Sequence, residues 1–328
     1  MIRSARDKCT KGNRGHRGGT LAVRRCVMFT AVAMALATLC LSASSSVPCA
    51  SASSVDLFPL SPASTAQPPA FTSHVESVRV DVLVLDGGRP ILGLKPSDFE
   101  VLDNGVPQQV ELVSFEKVPL NVVLAFDMSD SVAGERLEQL QDAGRAVLDG
   151  LTSGDQAGIV TFSNAVTLAA PLTADLRTVR TALDEAWGVG ATSLADGVYA
   201  AMMVGEGDAG RALVIAFSDG VDTSSWLTDE RVLDSAKRGD AVVYAAGVGT
   251  TGNSSFLREL TSLTGGTAYK IDSTRDLRAT FLKILDEFRH RYLVSYTPTG
   301  VTHDGWHRLD VRVKNRRATL KARPGYLS

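Results

Sequence analysis

The sequence has 328 residues, of which 44% are hydrophobic and 21% are charged, and its formal net charge is −2. This composition excludes a collagen-like chain, a small disulfide-rich protein and a fully disordered chain. Only one stretch is apolar enough to enter a bilayer, which excludes a polytopic membrane protein. Residues 1–52 hold 8 Lys and Arg, which leaves 26 basic and 35 acidic residues in the rest of the chain. A body with that acidic excess is unlike a nucleic-acid-binding protein.

Residues 1–52 are predicted to be a secretory signal. A basic flank leads into the apolar run of residues 27–41, and the small residues that follow end in Ala50-Ser51-Ala52, which resembles a cleavage site. The run is shorter than the ~20 residues of a membrane-spanning helix, so the alternative is an uncleaved N-terminal anchor, which would be the protein's only membrane contact. We therefore expect an exported protein in the periplasm, in the cell envelope or outside the cell.

The next segments are predicted to be a linker and a β region. Residues 53–70 are rich in Ser, Pro and Ala, which is typical of a flexible linker. Residues 71–118 are predicted to be β structure, because four residues alternate on one face of a strand: Val78, Val80, Val82 and Val84. Asn104-Gly105 favours a tight turn, and it predicts a hairpin with arms at residues 99–103 and 106–115.

Residues 119–290 show strands that alternate with helices. Short apolar runs typical of strands buried on both faces of a parallel sheet occur at residues 121–127, 157–162, 211–219 and 241–246. Five amphipathic stripes predict helices, and they begin near Leu137, Leu176, Leu194, Phe256 and Leu277. This alternation predicts a doubly wound α/β domain with a mostly parallel, Rossmann-like sheet. A β pattern returns in residues 291–328, and we expect it to form a small flanking β-sandwich with residues 71–118.

Polar clusters with hard oxygen atoms follow three of the predicted elements, at the edge where open parallel sheets bind ligands. The sequence DMSDS at residues 127–131 spaces three side chains so that they project to the same side of an extended segment. The candidate metal ligands of the three clusters are Asp127, Ser129, Ser131, Thr192 and Asp219. Carboxylates and hydroxyls suit a hard cation such as Mg²⁺, with Mn²⁺ and Ca²⁺ as alternatives. No nucleophile with a helper base accompanies them, which predicts a protein that is not an enzyme.

This constellation resembles the metal-ion-dependent adhesion site of von Willebrand factor type A domains, over roughly residues 119–290. The flanking β segments resemble a bacterial family that frames the domain in this way. The resemblance implies three direct or near-direct hydroxyl ligands, Ser129, Ser131 and Thr192. It also implies that Asp127 and Asp219 act largely through bound water. The cation would then keep much of its positive charge and bind an acidic side chain of a protein partner, so that the metal bridges two proteins.

One residue departs from the family pattern. Asp130 stands where a small residue such as Gly is common, and we expect its carboxylate either to point to solvent or to add negative charge that weakens binding of an acidic partner.

Two alternative functions remain open. Residues 247–252, GVGTTG, follow a predicted strand, and Asp272 lies twenty residues farther on, as in a dinucleotide-binding fingerprint. The first alternative is therefore a Rossmann-type dinucleotide-binding enzyme. The second is a structural envelope protein whose metal site only stabilises the fold.

Overall fold

The computed structural model describes residues 77–114, 118–207, 209–249 and 254–328. The predicted signal and linker, residues 1–52 and 53–70, lie outside the described residues. Within the described ranges, every helix is too short or too polar to cross a bilayer.

The helices are α1 (Glu135–Asp149), α2 (Leu176–Asp184), α3 (Leu194–Gly205), α4 (Asp229–Arg238), α5 (Ser255–Thr264) and α6 (Leu277–Arg289). The strands of the first β segment are β1 (Val78–Asp86), β2 (Arg89–Pro90), β3 (Phe99–Asp103), β4 (Val106–Gln108) and β5 (Leu112–Ser114). Those of the central sheet are β6 (Leu120–Asp127), β7 (Gln156–Phe162), β8 (Val166–Thr173), β9 (Arg211–Ser218), β10 (Val242–Val248) and β11 (Ala268–Ile271). The last segment contributes β12 (Tyr292–Tyr296), β13 (Trp306–Val313), β14 (Thr319–Lys321) and β15 (Gly325–Leu327).

The central sheet has the strand order β11-β10-β9-β6-β7-β8. Its strands are parallel except β8, which is antiparallel to β7. Every residue of β6 and β9 is buried, because helices cover both faces of a parallel sheet. Helices α1, α2 and α6 pack on one face, and α3, α4 and α5 pack on the other. The predicted α/β fold with a mostly parallel sheet is therefore confirmed.

The sequence patterns do not predict two elements of this domain. Strand β8 has a mixed burial pattern and a register irregularity against β7, so its side chains do not alternate cleanly between two faces. Helix α4 buries only Val232, Leu233 and Ala236, so its apolar stripe is too narrow to stand out in the sequence.

Two antiparallel sheets form the flanking sandwich, one ordered β14-β1-β12-β5 with β2 beside β1, and the other ordered β15-β13-β3-β4. Strand β1 pairs with β12 and β3 pairs with β13, so both terminal segments contribute to each sheet. Val80, Val82 and Val84 enter a shared core with Phe99 and Tyr296. The predicted sandwich is confirmed, and the alternating valines are on its inner face.

The predicted hairpin is correct at its turn and wrong in its length. Asn104 and Gly105 have φ angles of 48° and 83°, as the predicted tight turn requires. The pairing of β3 with β4 ends at Gln108, and β5 pairs with β12 in the other sheet. At this change of direction, the side chain of Gln108 donates to Thr299 O at 3.0 Å and accepts from Thr299 N at 2.9 Å.

Buried arginines join the sandwich to the α/β domain. Arg211, at the start of β9, donates from Nε to Asp81 Oδ1 at 2.8 Å. Arg291 is fully buried and donates to Asp81 O at 3.1 Å and to the Tyr244 hydroxyl at 2.9 Å. This junction lies at the amino-terminal end of the parallel strands, so the opposite edge of the sheet is left for the site.

Candidate metal centre

The candidate metal centre lies where the strand order of the central sheet reverses. Strands β6 and β9 are parallel neighbours, and the chain continues from β6 to β7 on the other side before it returns to β9. Ligands of open α/β sheets bind at such a switch point, beyond the carboxyl ends of the strands. Strand β6 ends at Asp127 and β9 ends at Ser218, so the DMSDS and Ser218-Asp219 segments are brought together there.

Asp127 is a buried carboxylate with a fixed orientation. Its exposed fraction is 0%, its Oδ1 accepts from Ser129 N at 2.9 Å, and its Oδ2 accepts from the Ser218 hydroxyl at 2.6 Å. Burial raises the pKa of Asp127, hydrogen bonds from Ser218 and Ser129 oppose that rise, and the charge of Asp219 adds to it. A cation near this carboxylate would remove the cost of keeping it charged.

The two serines and Asp219 form a chain of oxygen atoms. Ser129 Oγ lies 3.0 Å from Ser131 Oγ, and Ser131 Oγ donates to Asp219 Oδ1 at 2.5 Å. The i, i+2 spacing therefore places both hydroxyls on one side of the loop, as the sequence predicts.

Thr192 approaches the same place from the loop before α3. A Cβ atom built on Gly220 would lie 2.9 Å from Thr192 Oγ1 and 3.8 Å from Asp127 Oδ2. Because glycine has no side chain, Gly220 leaves open the space between Thr192 and Asp127. The carbonyl of Thr192 accepts from Thr223 N at 2.9 Å, which holds this loop against the one that follows β9. The five residues predicted as metal ligands are thus brought close together at this end of the sheet.

Arg136 is a site residue that no motif in the sequence indicates. It lies in the first turn of α1, and its Nη1 donates to Asp219 Oδ2 at 2.6 Å and to Ser131 O at 3.2 Å. Its position five residues after Ser131 is the signal that could have found it. Ser218, which holds Asp127, is a second such residue, and it immediately precedes Asp219 at the end of β9.

Asp130 is exposed to solvent, which is one of the two expectations for it, but its carboxylate also makes a hydrogen bond that the sequence does not indicate. Its Oδ1 accepts from Gly190 N at 2.8 Å, and its own N donates to Gly190 O at 3.1 Å. Asp130 therefore fastens the DMSDS loop to the loop that carries Thr192.

The donor set suits a hard divalent cation. Two carboxylates and three hydroxyls supply oxygen atoms only, which are the ligands that Mg²⁺, Mn²⁺ and Ca²⁺ prefer. In the part of the chain that the structure describes, no group of three or more His, Cys, Asp or Glu side chains is placed to hold a metal. A cation at this edge of the sheet would therefore depend on neutral hydroxyl oxygens.

The glycine-rich loop lies away from the switch point. Strand β10 pairs with β9 and β11. Gly247 lies in this strand and Gly249 follows it, so the motif does not border the reversal between β6 and β9. Residues 250–252 of this motif lie outside the described residues. The position of β10 favours the metal centre over this loop as the main binding site.

The family model of the von Willebrand factor type A domain matches residues 121–283. The chain contains a von Willebrand factor type A (VWA) domain. Inter-alpha-trypsin inhibitor heavy chain H4 of Bos taurus is 26% identical over 179 residues, which are 50% of this chain and 20% of that protein. The chain therefore spans only a small part of this bovine relative. A UPF0353 protein of Mycolicibacterium gilvum is 24% identical over 279 residues, 67% of this chain and 82% of that protein.

A von Willebrand factor type A structure from Catenulispora acidiphila has a TM-score of 0.49 at 15% identity, and it covers 70% of this chain and 73% of that one. VWA domains are commonly involved in protein–protein interaction and in metal binding at the metal-ion-dependent adhesion site.

Proposed function

We propose that this protein is an exported, non-enzymatic interaction module, whose VWA domain binds a protein partner through a divalent cation. The cation is Mg²⁺, held by Asp127, Ser129, Ser131, Thr192 and Asp219. The observation that carries this proposal is the convergence of these oxygens from three loops at the switch point of the sheet. Export rests on the predicted signal in residues 1–52.

Each oxygen has a distinct part in holding the cation. The hydroxyls of Ser129, Ser131 and Thr192 are neutral donors, so they bind the cation without cancelling its charge. Ser131 can coordinate through a lone pair and still donate its hydrogen to Asp219. Asp127 is held by Ser129 N and by Ser218, so it is oriented to accept from water bound to the cation.

The bound cation would attract and coordinate an anionic oxygen of a partner. The carboxylates of Asp127 and Asp219 neutralise the charge of a divalent ion only if both lie close to it. Water between a carboxylate and the ion weakens their attraction, so that the ion keeps part of its positive charge. A Glu or Asp side chain of a partner is a hard anionic ligand that fits such an ion. The loops of the VWA domain would then orient the partner, and the cation would join the two proteins.

Metal binding is tested by calorimetric titration of the full chain with MgCl₂, with Asp127→Ala as the test variant. Asp234→Ala is the matched control, because Asp234 is an exposed carboxylate on α4 that pairs with Lys237. We expect the wild type and the control to bind Mg²⁺, and Asp127→Ala to lose binding. Unchanged Mg²⁺ affinity in Asp127→Ala contradicts the proposed site.

Partner binding is tested by capture from an envelope extract in Mg²⁺ and in EDTA. A partner retained in Mg²⁺ by the wild type, and lost in EDTA or with Asp127→Ala, supports the bridge. Mg²⁺ binding without any EDTA-sensitive partner favours a structural envelope protein. If calorimetric titration shows that the chain binds NAD and does not bind Mg²⁺, that result favours the dinucleotide-binding enzyme.

A further inference from the structure

Four of the nine exposed large hydrophobic side chains in the described part of the chain, including the three most exposed, lie on two loops beside the metal centre. Among the described residues, the three large hydrophobic side chains with the greatest exposure are Trp226, Trp187 and Val221, at 93%, 71% and 62%. Val189 is 47% exposed. We call these four residues the aromatic rim. Exposed apolar groups clustered on a surface mark an interaction site, whereas scattered ones carry no such meaning.

Trp187 and Val189 lie on a loop that rests directly on the DMSDS loop. Val189 N donates to Met128 O at 2.7 Å. A Cβ atom built on Gly188 would lie 2.9 Å from Ser129 O, so the two backbones touch. The loop with Trp187 therefore borders the residues predicted to bind the cation.

Val221 and Trp226 lie on the loop that follows Asp219. This loop is tied to Thr192 by the hydrogen bond from Thr223 N to Thr192 O, at 2.9 Å. Trp226 N donates to Asp196 Oδ2 at 2.9 Å, which fixes the backbone of Trp226 at the start of α3. The two halves of the rim thus flank the metal centre from two loops, and hydrogen bonds hold both loops in place.

We propose that the aromatic rim binds large apolar side chains that lie beside the metal-binding carboxylate of the partner. This inference rests on the proposed function, because the carboxylate is the group that the cation binds. A Trp side chain buries ~150–250 Å² in a contact, and Trp is among the residues that dominate binding energy in interfaces. Apolar contacts around the cation also exclude water, which strengthens the attraction between the cation and the carboxylate.

The charges of the same loops define the partner further. Asp130, Asp222 and Asp229 lie on the rim loops or beside them, and the half-exposed Arg136 is already paired with Asp219. This negative surface repels anionic lipid and acidic tails. The partner is therefore a protein with one carboxylate inside an apolar surface, and neither a run of acidic residues nor an anionic membrane.

The test uses cyclic peptides displayed on phage, each with one fixed Glu between three random residues on either side. They are selected on the full chain in MgCl₂ and eluted with EDTA. We expect Leu, Ile, Phe and Trp to be enriched beside the Glu. We expect Trp187→Ser and Trp226→Ser each to weaken the selected peptides at least tenfold, with Mg²⁺ affinity unchanged. Trp306→Ser is the matched control, because Trp306 is 40% exposed on β13 of the sandwich.

The outcomes separate the rim from the metal bridge. One contrary result is that the Mg²⁺-dependent peptides show no enrichment of apolar residues, and another is that they bind the rim variants as tightly as the wild type. Either result overturns the proposed role of the rim and leaves the proposed function standing. Failure to select any Mg²⁺-dependent peptide overturns both. Two further results would overturn the proposed partner. If the wild type sediments with phosphatidylglycerol vesicles and Trp226→Ser does not, the rim binds a membrane. If the wild type forms Mg²⁺-dependent dimers and Trp226→Ser does not, the rim binds a second copy of the chain.

Discussion

Arg136 and Asp219 form an ion pair at the candidate metal centre, with 2.6 Å between Arg136 Nη1 and Asp219 Oδ2. The Arg136 side chain is 51% exposed, whereas that of Asp219 is 1% exposed. The other oxygen of Asp219 accepts from Ser131. A fixed cation of the protein thus faces a buried carboxylate that would also serve a bound metal ion.

Arg136→Ala is expected to increase Mg²⁺ affinity. The variant removes a positive charge that competes with the metal for Asp219, and such a half-exposed pair is worth roughly 1 kcal/mol, which corresponds to about fivefold in affinity. Calorimetric titration measures the change. Arg145→Ala is the control, because Arg145 is also on α1 and pairs with Asp184. Unchanged or weaker Mg²⁺ binding in Arg136→Ala would contradict competition.

Gly220→Ala is expected to weaken Mg²⁺ binding without unfolding the protein. The new Cβ would lie 2.9 Å from Thr192 Oγ1, so the threonine has to turn away from the centre. We expect a loss of at least about tenfold in affinity, or roughly 1.4 kcal/mol. The melting temperature in EDTA is the companion measurement. Normal Mg²⁺ affinity in a folded Gly220→Ala variant would argue against Thr192 as a ligand.

Asp130→Gly is expected to loosen the loop that carries Trp187. The variant removes the acceptor for Gly190 N, which lies 2.8 Å from Asp130 Oδ1. Hydrogen exchange of residues 187–191 should become faster, because the amide of Gly190 loses its partner. Asp130→Asn keeps the acceptor oxygen and should exchange like the wild type. Equal exchange in Asp130→Gly and Asp130→Asn would mean that this contact does not hold the loop.

Asp155→Asn is expected to destabilise the protein at neutral pH. Burial raises the pKa of Asp155, but hydrogen bonds from Thr152, Leu120 and Arg289 outweigh burial and lower it below 3.8. A carboxyl whose pKa is lowered by folding contributes stability above its unfolded pKa, and that stability is lost as the pH falls through the folded pKa. We expect a loss of about 2 kcal/mol at pH 7, typical of a buried, hydrogen-bonded charge.

The pH dependence of this loss can be measured by urea unfolding in EDTA. The difference between the wild type and Asp155→Asn should be constant at neutral pH and should shrink below pH 3.8, the ordinary pKa. Asp149→Asn is the control, since Asp149 is 62% exposed and pairs with Arg180. A difference that grows as the pH falls would refute the direction of the pKa shift.

The sequence predicts the helices and strands whose apolar side chains either form a continuous run or repeat with one clear period. The apolar runs at residues 121–127 and 211–219 match β6 and β9, because both strands are buried on both faces. Strand β8 and helix α4 escape prediction, since β8 is an irregular edge strand and α4 buries one narrow stripe. The sequence does not reveal the break between β4 and β5, because β5 pairs with the distant strand β12 and Gln108 contacts Thr299, 191 residues away.

The candidate site likewise has a part that the sequence predicts and a part that it does not. The spacing within DMSDS is local, so it predicts that Ser129 and Ser131 lie together. Arg136 reaches Asp219 across 83 residues, and Asp130 reaches Gly190 across 60. Contacts between loops that are distant in sequence depend on the path of the folded chain, and a local pattern cannot reveal them.

The α/β domain is inserted between β5 and β12, and these two strands pair antiparallel with each other. The domain therefore stands on a stem whose two strands leave it side by side. Because both strands join the domain at the same end of the stem, tension applied by a bound partner would pull on them in the same direction and would not separate β5 from β12. Arg211 and Arg291, which both contact Asp81 on β1, join the domain to the sandwich and would share this load.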